Sequence, residues 1–199
     1  ALEKTIRIAA ESDAKQVVVV AHSMGCLLTM EVLRQAAIAG DATFGGKLKH
    51  VMLASSDIAV DVFESQMKRL PPASQRPRIA VLTSRDDLLL KISALIARGG
   101  ERVGRPENNQ SLLDLGVDVF DLSAYRTRGI STHYKFAAEA RSLPQIYAIM
   151  ARQAASAAPS SVHELTPEGD WQRQPPIPNP LVIIERTFEA LERTLPVGR

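Results

Sequence analysis

The sequence predicts an α/β protein built on a parallel sheet with helices on both faces. Short apolar runs typical of buried strands occur at residues 17–20, 49–54, 78–84 and 117–122. Segments with apolar residues at three- and four-residue spacing separate these runs, as in amphipathic helices. Strands that alternate with helices at such intervals form β-α-β crossovers, which require parallel pairing.

Helices and strands alternate from the first residues onward. Leu2 and Ile6 share one face of a helix that leads into the all-valine strand at 17–20. Pro71 ends the helix after the second strand, because proline cannot continue a helix. The strand at 117–122 alternates apolar and polar residues, as an edge position allows. Helices are expected at 2–13, 27–40, 60–70, 88–98 and 143–155.

The composition is that of an ordinary globular protein. The chain has 199 residues, 45% hydrophobic and 23% charged, and a formal net charge of +2. Because it contains no Lys- or Arg-rich block, we expect no nucleic-acid partner. A single cysteine, Cys26, excludes an internal disulfide. No apolar run approaches the ~18 residues that a membrane span requires.

The connection between the first strand and its helix is very short. The residues AHSMG at 21–25 leave no room for a relaxed loop. A strand that becomes a helix within one turn forces the middle residue, Ser23, into a strained conformation. The pattern is that of a nucleophile elbow, G-x-S-x-G, with alanine in the first place. At this helix N-terminus, the N–H of Met24 can donate to an oxyanion.

Further titratable residues follow the other strands, at the carboxyl ends where chemistry gathers in parallel sheets. Asp57 follows the second strand, Asp86 and Asp87 follow the third, and His133 comes on the loop after the fourth. Serine, aspartate and histidine in this order match the α/β-hydrolase triad. His133 can act as general base for Ser23. Either aspartate after the third strand can orient it, with Asp57 as a further alternative.

The other three histidines are weaker candidates for the general base. His163 lies past a further helix, and His50 begins a strand at the far end of the sheet. His22 neighbours the serine, but its side chain is expected to point away from it.

Several short blocks resemble those of one known family. They are found here in its order and spacing: AHSMG at 21–25, SDIAVDVF at 56–63, SRDDL at 84–88, RVG at 102–104, and DVFDL at 118–122 followed by HY at 133–134. Over about residues 15–136 the sequence resembles the bacterial α/β-hydrolases of unknown function. The resemblance implies an α/β-hydrolase fold and a triad of Ser23, His133 and Asp87, the last matching the family's S-x-x-D. Asp86 is then expected to cap the following helix.

The beginning of the chain departs from a complete domain of that family. A full α/β-hydrolase has several strands before the serine turn, whereas about fifteen residues precede the first strand here. The chain is therefore expected to lack the amino-terminal strands of the full fold, together with the loop that donates the second oxyanion N–H. The sheet edge near Val17 is expected to be exposed and to favour self-association.

Three segments are expected along the chain: a hydrolase-like domain at 1–158, a proline-rich linker at 159–180 and an amphipathic helix at 181–195. The last helix carries an apolar stripe opposite mixed charges. Interfacial helices are biased to Lys and Arg, so we expect no membrane contact. We expect the helix to dock instead on its own domain or on the missing amino-terminal half.

The residues favour a serine hydrolase that cleaves an ester or thioester through an acyl-enzyme. Its partner would be a small-molecule acyl ester, and we expect no cofactor and no metal. The alternative is a catalytically inactive α/β-hydrolase scaffold with a binding role, which the missing oxyanion loop favours. A lipid-surface protein is a third class, favoured by the last helix alone.

Overall fold

The computed structural model describes residues 1–97, 100–126, 129–138, 142–156 and 158–165. These residues form one five-stranded sheet, in which every strand is parallel to its neighbour and follows the order of the chain. The strands are β1 (Val17–His22), β2 (Leu48–Ala54), β3 (Arg78–Thr83), β4 (Asp118–Asp121) and β5 (Val162–Glu164). The parallel sheet with flanking helices that the sequence predicts is confirmed.

Helices connect these strands. They are α1 (Leu2–Glu11), α2 (Gly25–Ile38), α3 (Val60–Met67), α4 (Leu88–Ile96), α5 (Gln110–Asp114), α6 (Lys135–Ala138) and α7 (Ser142–Ser156), with 3₁₀ turns at Ala73–Gln75 and Gly129–Tyr134. α3 ends three residues earlier than the apolar spacing predicts. The chain tightens there into a 3₁₀-type turn, in which Leu70 N–H donates to Met67 O at 3.0 Å.

The sheet is covered on both faces. Along β2, Val51 and Leu53 belong to one cluster of buried residues, and Met52 and Ala54 to the other. The first cluster includes buried side chains of α2 and α3, and the second includes those of α7. Because successive side chains of a strand point to opposite faces, a continuous apolar run marks a strand that is buried on both sides.

β4 is an interior strand, so the edge position predicted for it is wrong. Its outer neighbour, β5, lies within segment 159–180, for which the sequence predicts a linker. Three residues are too few to show the period of a strand. The aspartates that gave β4 its alternating pattern are buried and paired. Asp118 binds Arg78 (2.5 Å), and Asp121 accepts a hydrogen bond from Ser123 N–H (2.8 Å).

The amphipathic helix predicted at 181–195 lies outside the described residues. Within the described ranges, no helix is both long enough and apolar enough to cross a membrane.

Candidate active site

Ser23 lies between β1 and α2 with a strained backbone. Its φ of 53° falls in the left-handed region, which residues other than glycine seldom adopt. Its N–H donates to Ala54 O at the end of β2 (3.0 Å), and its carbonyl accepts from Cys26 N–H (3.1 Å). Backbone hydrogen bonds therefore fix the turn on both sides and hold the partly exposed serine beyond the carboxyl end of β1.

His133 and Asp87 come together in the structure. His133 Nδ1 lies 2.9 Å from Oδ2 and 3.1 Å from Oδ1 of Asp87, and both side chains are buried. An ionised carboxylate only accepts hydrogen bonds, so Nδ1 donates. In a neutral imidazole the other nitrogen, Nε2, is then an acceptor. The pair can therefore take up a proton at Nε2 while the carboxylate holds the ring in place.

Asp87 also caps α4, because its Oδ1 accepts a hydrogen bond from Leu90 N–H at 3.0 Å. The prediction that Asp86 is the cap is therefore wrong: Asp87 directly precedes the first helical residue, which is the N-cap position. Asp86 instead accepts from Ser84 Oγ (2.5 Å) and Lys135 Nζ (2.6 Å). Burial raises the pKa of Asp86, but these hydrogen bonds together outweigh it and hold the pKa below its ordinary value.

Asp57, the other alternative acid, has different partners. Its carboxylate accepts from Ser93 Oγ at 2.7 and 2.9 Å and lies 3.2 Å from Arg102 Nε. Among the described side chains, the carboxylate that contacts the His133 imidazole is that of Asp87. The geometry therefore favours Asp87 over both Asp86 and Asp57 as the orienting acid.

The backbone of His133 is anchored as firmly as its ring. Its carbonyl accepts hydrogen bonds from Ser55 Oγ (2.8 Å) and from His22 Nε2 (3.2 Å). Ser55 follows β2 with a φ of 45°, so a second strained serine serves this site. His22 at the end of β1 and Ser55 directly after β2 thus both hold the segment that contains His133 at the carboxyl end of the sheet.

His22 is a residue of the site whose contact with the His133 segment the sequence analysis did not predict, because there His22 was considered only as a general base and set aside. Its ring lies 4.7 Å from the His133 ring, 5.1 Å from that of Tyr134 and 4.9 Å from that of Phe136. Burial lowers the pKa of His22 below its ordinary value, so the ring is neutral at pH 7. Its place beside Ser23 in the AHSMG block was the signal that could have revealed it.

The RVG block at 102–104 fills the space between the ends of β2 and β3. Gly104 N–H donates to Ser56 O (2.9 Å), and Gly104 O accepts from Ser84 N–H (3.0 Å). A Cβ at Gly104 would lie 2.4 Å from the backbone N of Ser56 and 2.7 Å from Leu90 Cδ1. Only glycine allows this close approach. Because Gly104 bonds both Ser56 and Ser84, the block joins the end of β2, beside Ser55, to the end of β3, before Asp87.

Met24, the expected oxyanion donor, follows Ser23 at the start of α2 with a largely exposed side chain. In the described part of the chain its N–H makes no hydrogen bond, so it can donate to a ligand. Over the same residues, Ser23 Oγ makes no hydrogen bond to His133. The structure therefore brings His133 and Asp87 together and places Ser23 at the end of β1, which β2 separates from β3, the strand that precedes Asp87.

The remaining histidines lie elsewhere. His163 on β5 bonds with Ser161 (2.9 Å) and Gln153 (3.1 Å) and stacks on Phe120. His50 lies in the first half of β2, away from the carboxyl end of the sheet. The described residues contain no group of three or more side chains suited to hold a metal ion.

Consecutive parallel strands, helices on both faces and polar side chains gathered beyond the carboxyl strand ends define an α/β protein with a parallel sheet. The family comparison places this chain among the α/β-hydrolases. Within this class, the chain can be assigned to one family. Residues 1–152 match the model of the family described as alpha/beta hydrolase of unknown function (DUF900), and the chain belongs to that family. No curated protein and no solved structure matches it.

Proposed function

We propose that this chain is a serine hydrolase that cleaves a small-molecule ester or thioester. The observation that carries the proposal is the buried His133–Asp87 pair. The backbone carbonyl of His133 accepts a hydrogen bond from His22, and His22 directly precedes the strained Ser23. A strained serine at a helix N-terminus and an imidazole oriented by a carboxylate are the parts of Ser-His-Asp catalysis.

In this mechanism, Ser23 Oγ attacks the carbonyl carbon while His133 Nε2 accepts the hydroxyl proton. The carbonyl electron pair moves onto oxygen, where the N–H of Met24 stabilises the charge. When the intermediate collapses, the bond to the alcohol or thiol breaks and the leaving group takes the proton from His133. A water molecule, deprotonated by the same imidazole, then attacks the acyl carbon. The bond from that carbon to Ser23 Oγ breaks, Oγ takes the proton back from His133, and the acid is released.

The proposal is tested with a fluorophosphonate probe, which reacts with an activated serine. We expect covalent labelling of the protein, no labelling of Ser23→Ala and strongly reduced labelling of His133→Ala. The matched control is His163→Ala. His163 is a partly buried histidine, and among the described residues its ring contacts Gln153, Ser161 and Phe120, away from Ser23. This control is expected to label like the wild type.

Equal labelling of wild type and Ser23→Ala would exclude the serine hydrolase. It would support the second candidate, an inactive α/β-hydrolase scaffold with a binding role. That candidate is favoured by the lack of a Ser23 Oγ–His133 hydrogen bond among the described residues. Such catalytic hydrogen bonds, however, often form only once a substrate is bound, which is why we put the hydrolase first.

A further inference from the structure

Lys135, two residues after His133, is one of the most deeply buried side chains of the molecule. Its residue is 2% exposed, yet it carries an ammonium group. The group is held by Asp86 Oδ1 at 2.6 Å, and the carbonyls of Leu122 and Ser123 lie 3.4 and 3.5 Å away. These acceptors can satisfy all three donors of the lysine. Lys135 thus joins the end of β4 to the turn before α4.

This ion pair runs beside the histidine–aspartate pair. Asp86 binds Lys135, and the adjacent Asp87 binds His133. A third contact extends the set, because Leu88 N–H donates to the hydroxyl of Thr132 at 3.1 Å. Three consecutive residues at 86–88 are therefore connected to the short segment at 132–135. We call this set of contacts the 86–88 clamp.

We propose that Lys135 and Asp86 are positioning residues that fix the His133 imidazole against Asp87. The inference rests on the proposed function for its catalytic consequence. His133 lies on a segment of 3₁₀ turn and one-turn helix, which has little rigidity of its own. The clamp attaches this segment to the start of α4, whose first turn carries the orienting carboxylate.

A buried lysine is well suited to this purpose. An ammonium group without a partner is costly in a buried place, so Lys135 has no comparable alternative position once the segment has docked. Asp86 is half-exposed and is itself held by Ser84 Oγ. Loss of the carboxylate would leave the ammonium group buried and unpaired, and we expect the segment to shift outwards to rehydrate it, taking His133 away from Asp87.

The inference requires an experiment that separates positioning from mere stability. We use Asp86→Ala, Lys135→Met and the double variant Asp86→Ala/Lys135→Met. The double variant removes both partners, so it should regain much of the unfolding free energy that Asp86→Ala loses. The matched control is the pair of Glu64 and Lys68 at the end of α3, which lies at the surface (3.6 Å) and is replaced as Glu64→Ala/Lys68→Met.

Two quantities are measured for each folded variant: the rate of fluorophosphonate labelling, and the low-field proton resonance of His133 Nδ1–H, assigned by its loss in His133→Gln. We expect Asp86→Ala and the double variant to label roughly 10- to 100-fold more slowly. Both lose the Asp86–Lys135 contact that ties the His133 segment to α4, and a misplacement of about 1 Å can cost 10²-fold. Their Nδ1 proton resonance should broaden or disappear. The control pair should change neither quantity.

Recovery of the labelling rate together with stability in the double variant would show that the pair is structural only and would overturn the inference. An unchanged Nδ1 proton resonance in Asp86→Ala would overturn it as well. If the wild type does not label at all, the proposed function fails, whereas the resonance still decides on positioning: a broadened signal supports it and an unchanged one refutes it. Should Lys135→Met not fold, Asp86→Ala at its half-exposed site decides alone.

Discussion

Asp87 uses its two oxygens for two neighbouring partners. Oδ2 is the closer one to His133 Nδ1, at 2.9 Å, while Oδ1 accepts from Leu90 N–H and caps α4. The residue itself is 0% exposed. The position of the imidazole is thereby tied to the start of a helix, which makes the carboxylate rigid as well as charged.

These two contacts can be separated by substitution. Asparagine caps a helix about as well as aspartate, but its amide cannot hold the imidazole in the required tautomer. We therefore expect Asp87→Asn to lower turnover of a short-chain p-nitrophenyl ester by about 10⁴, with nearly unchanged thermal stability. Asp87→Ala should lose the cap too, at a cost of roughly 1 kcal/mol in unfolding free energy.

The control for both variants is Asp114→Asn, at an exposed position on α5. Turnover at the wild-type level in Asp87→Asn would show that another group orients His133. In that case the acid would have to be sought among the aspartates that the geometry disfavours, Asp57 and Asp86.

The strand ends form one connected edge. The residues directly after β1, β2 and β4 donate their N–H groups to the end of a neighbouring strand: Ser23 to Ala54 O (3.0 Å), Ser55 to Leu82 O (3.3 Å), and Leu122 to Thr83 O (2.9 Å). The parallel register thus continues past the sheet and sets where the site residues stand. Gly104 completes this edge by bonding Ser56 and Ser84.

Gly104→Ala is therefore expected to destabilise the protein. The added Cβ would meet the backbone of Ser56 at 2.4 Å and that of Ser55 at 2.7 Å, and neither can rotate away as a side chain could. Overpacking of this kind costs typically 1–3 kcal/mol, and we expect a loss in that range or above it, measured by urea unfolding. Gly25→Ala is the control, because its Cβ would meet nothing within 4 Å. Equal stabilities of both variants would contradict the packing role.

At the scale of elements, sequence patterns predicted the features that are determined by residues close together in the chain. The valine run at 17–20 and the apolar helix spacing predict the sheet, and the short AHSMG connection predicts a strained Ser23. Contacts between distant segments left no such pattern. β5 is too short to show a period, and the burial of Lys135 depends on its pairing with Asp86 across 49 positions. Which of the two adjacent aspartates caps α4 likewise depends on where the helix begins. Sequence patterns do not locate a helix boundary to within one residue.

Across the whole molecule, three histidines are held neutral by the fold. Burial is the largest cause that lowers the pKa of His22, His50 and His163 from the ordinary value of 6.5. Between that value and the lower folded pKa, the unfolded chain binds more protons than the native protein, so stability rises with pH. The stability that these histidines contribute is present above pH 6.5 and is lost as the pH falls through their folded pKa values. Carboxyl groups whose pKa is lowered, such as Glu31 with a pKa of about 2 against the ordinary 4.5, change stability only at lower pH.

We accordingly expect the unfolding free energy to fall as the pH drops from about 6.5 to 5. His50→Leu should flatten this slope, by up to about 1.4 kcal/mol per pH unit for one proton. The change should fold well, because it removes a buried Nδ1 that has no hydrogen-bond partner among the described residues. Urea unfolding of both proteins across this pH range measures the slopes, and data above about pH 7.5 serve as the reference where the histidines no longer titrate. Parallel slopes for wild type and variant would mean that His50 is not held neutral by burial.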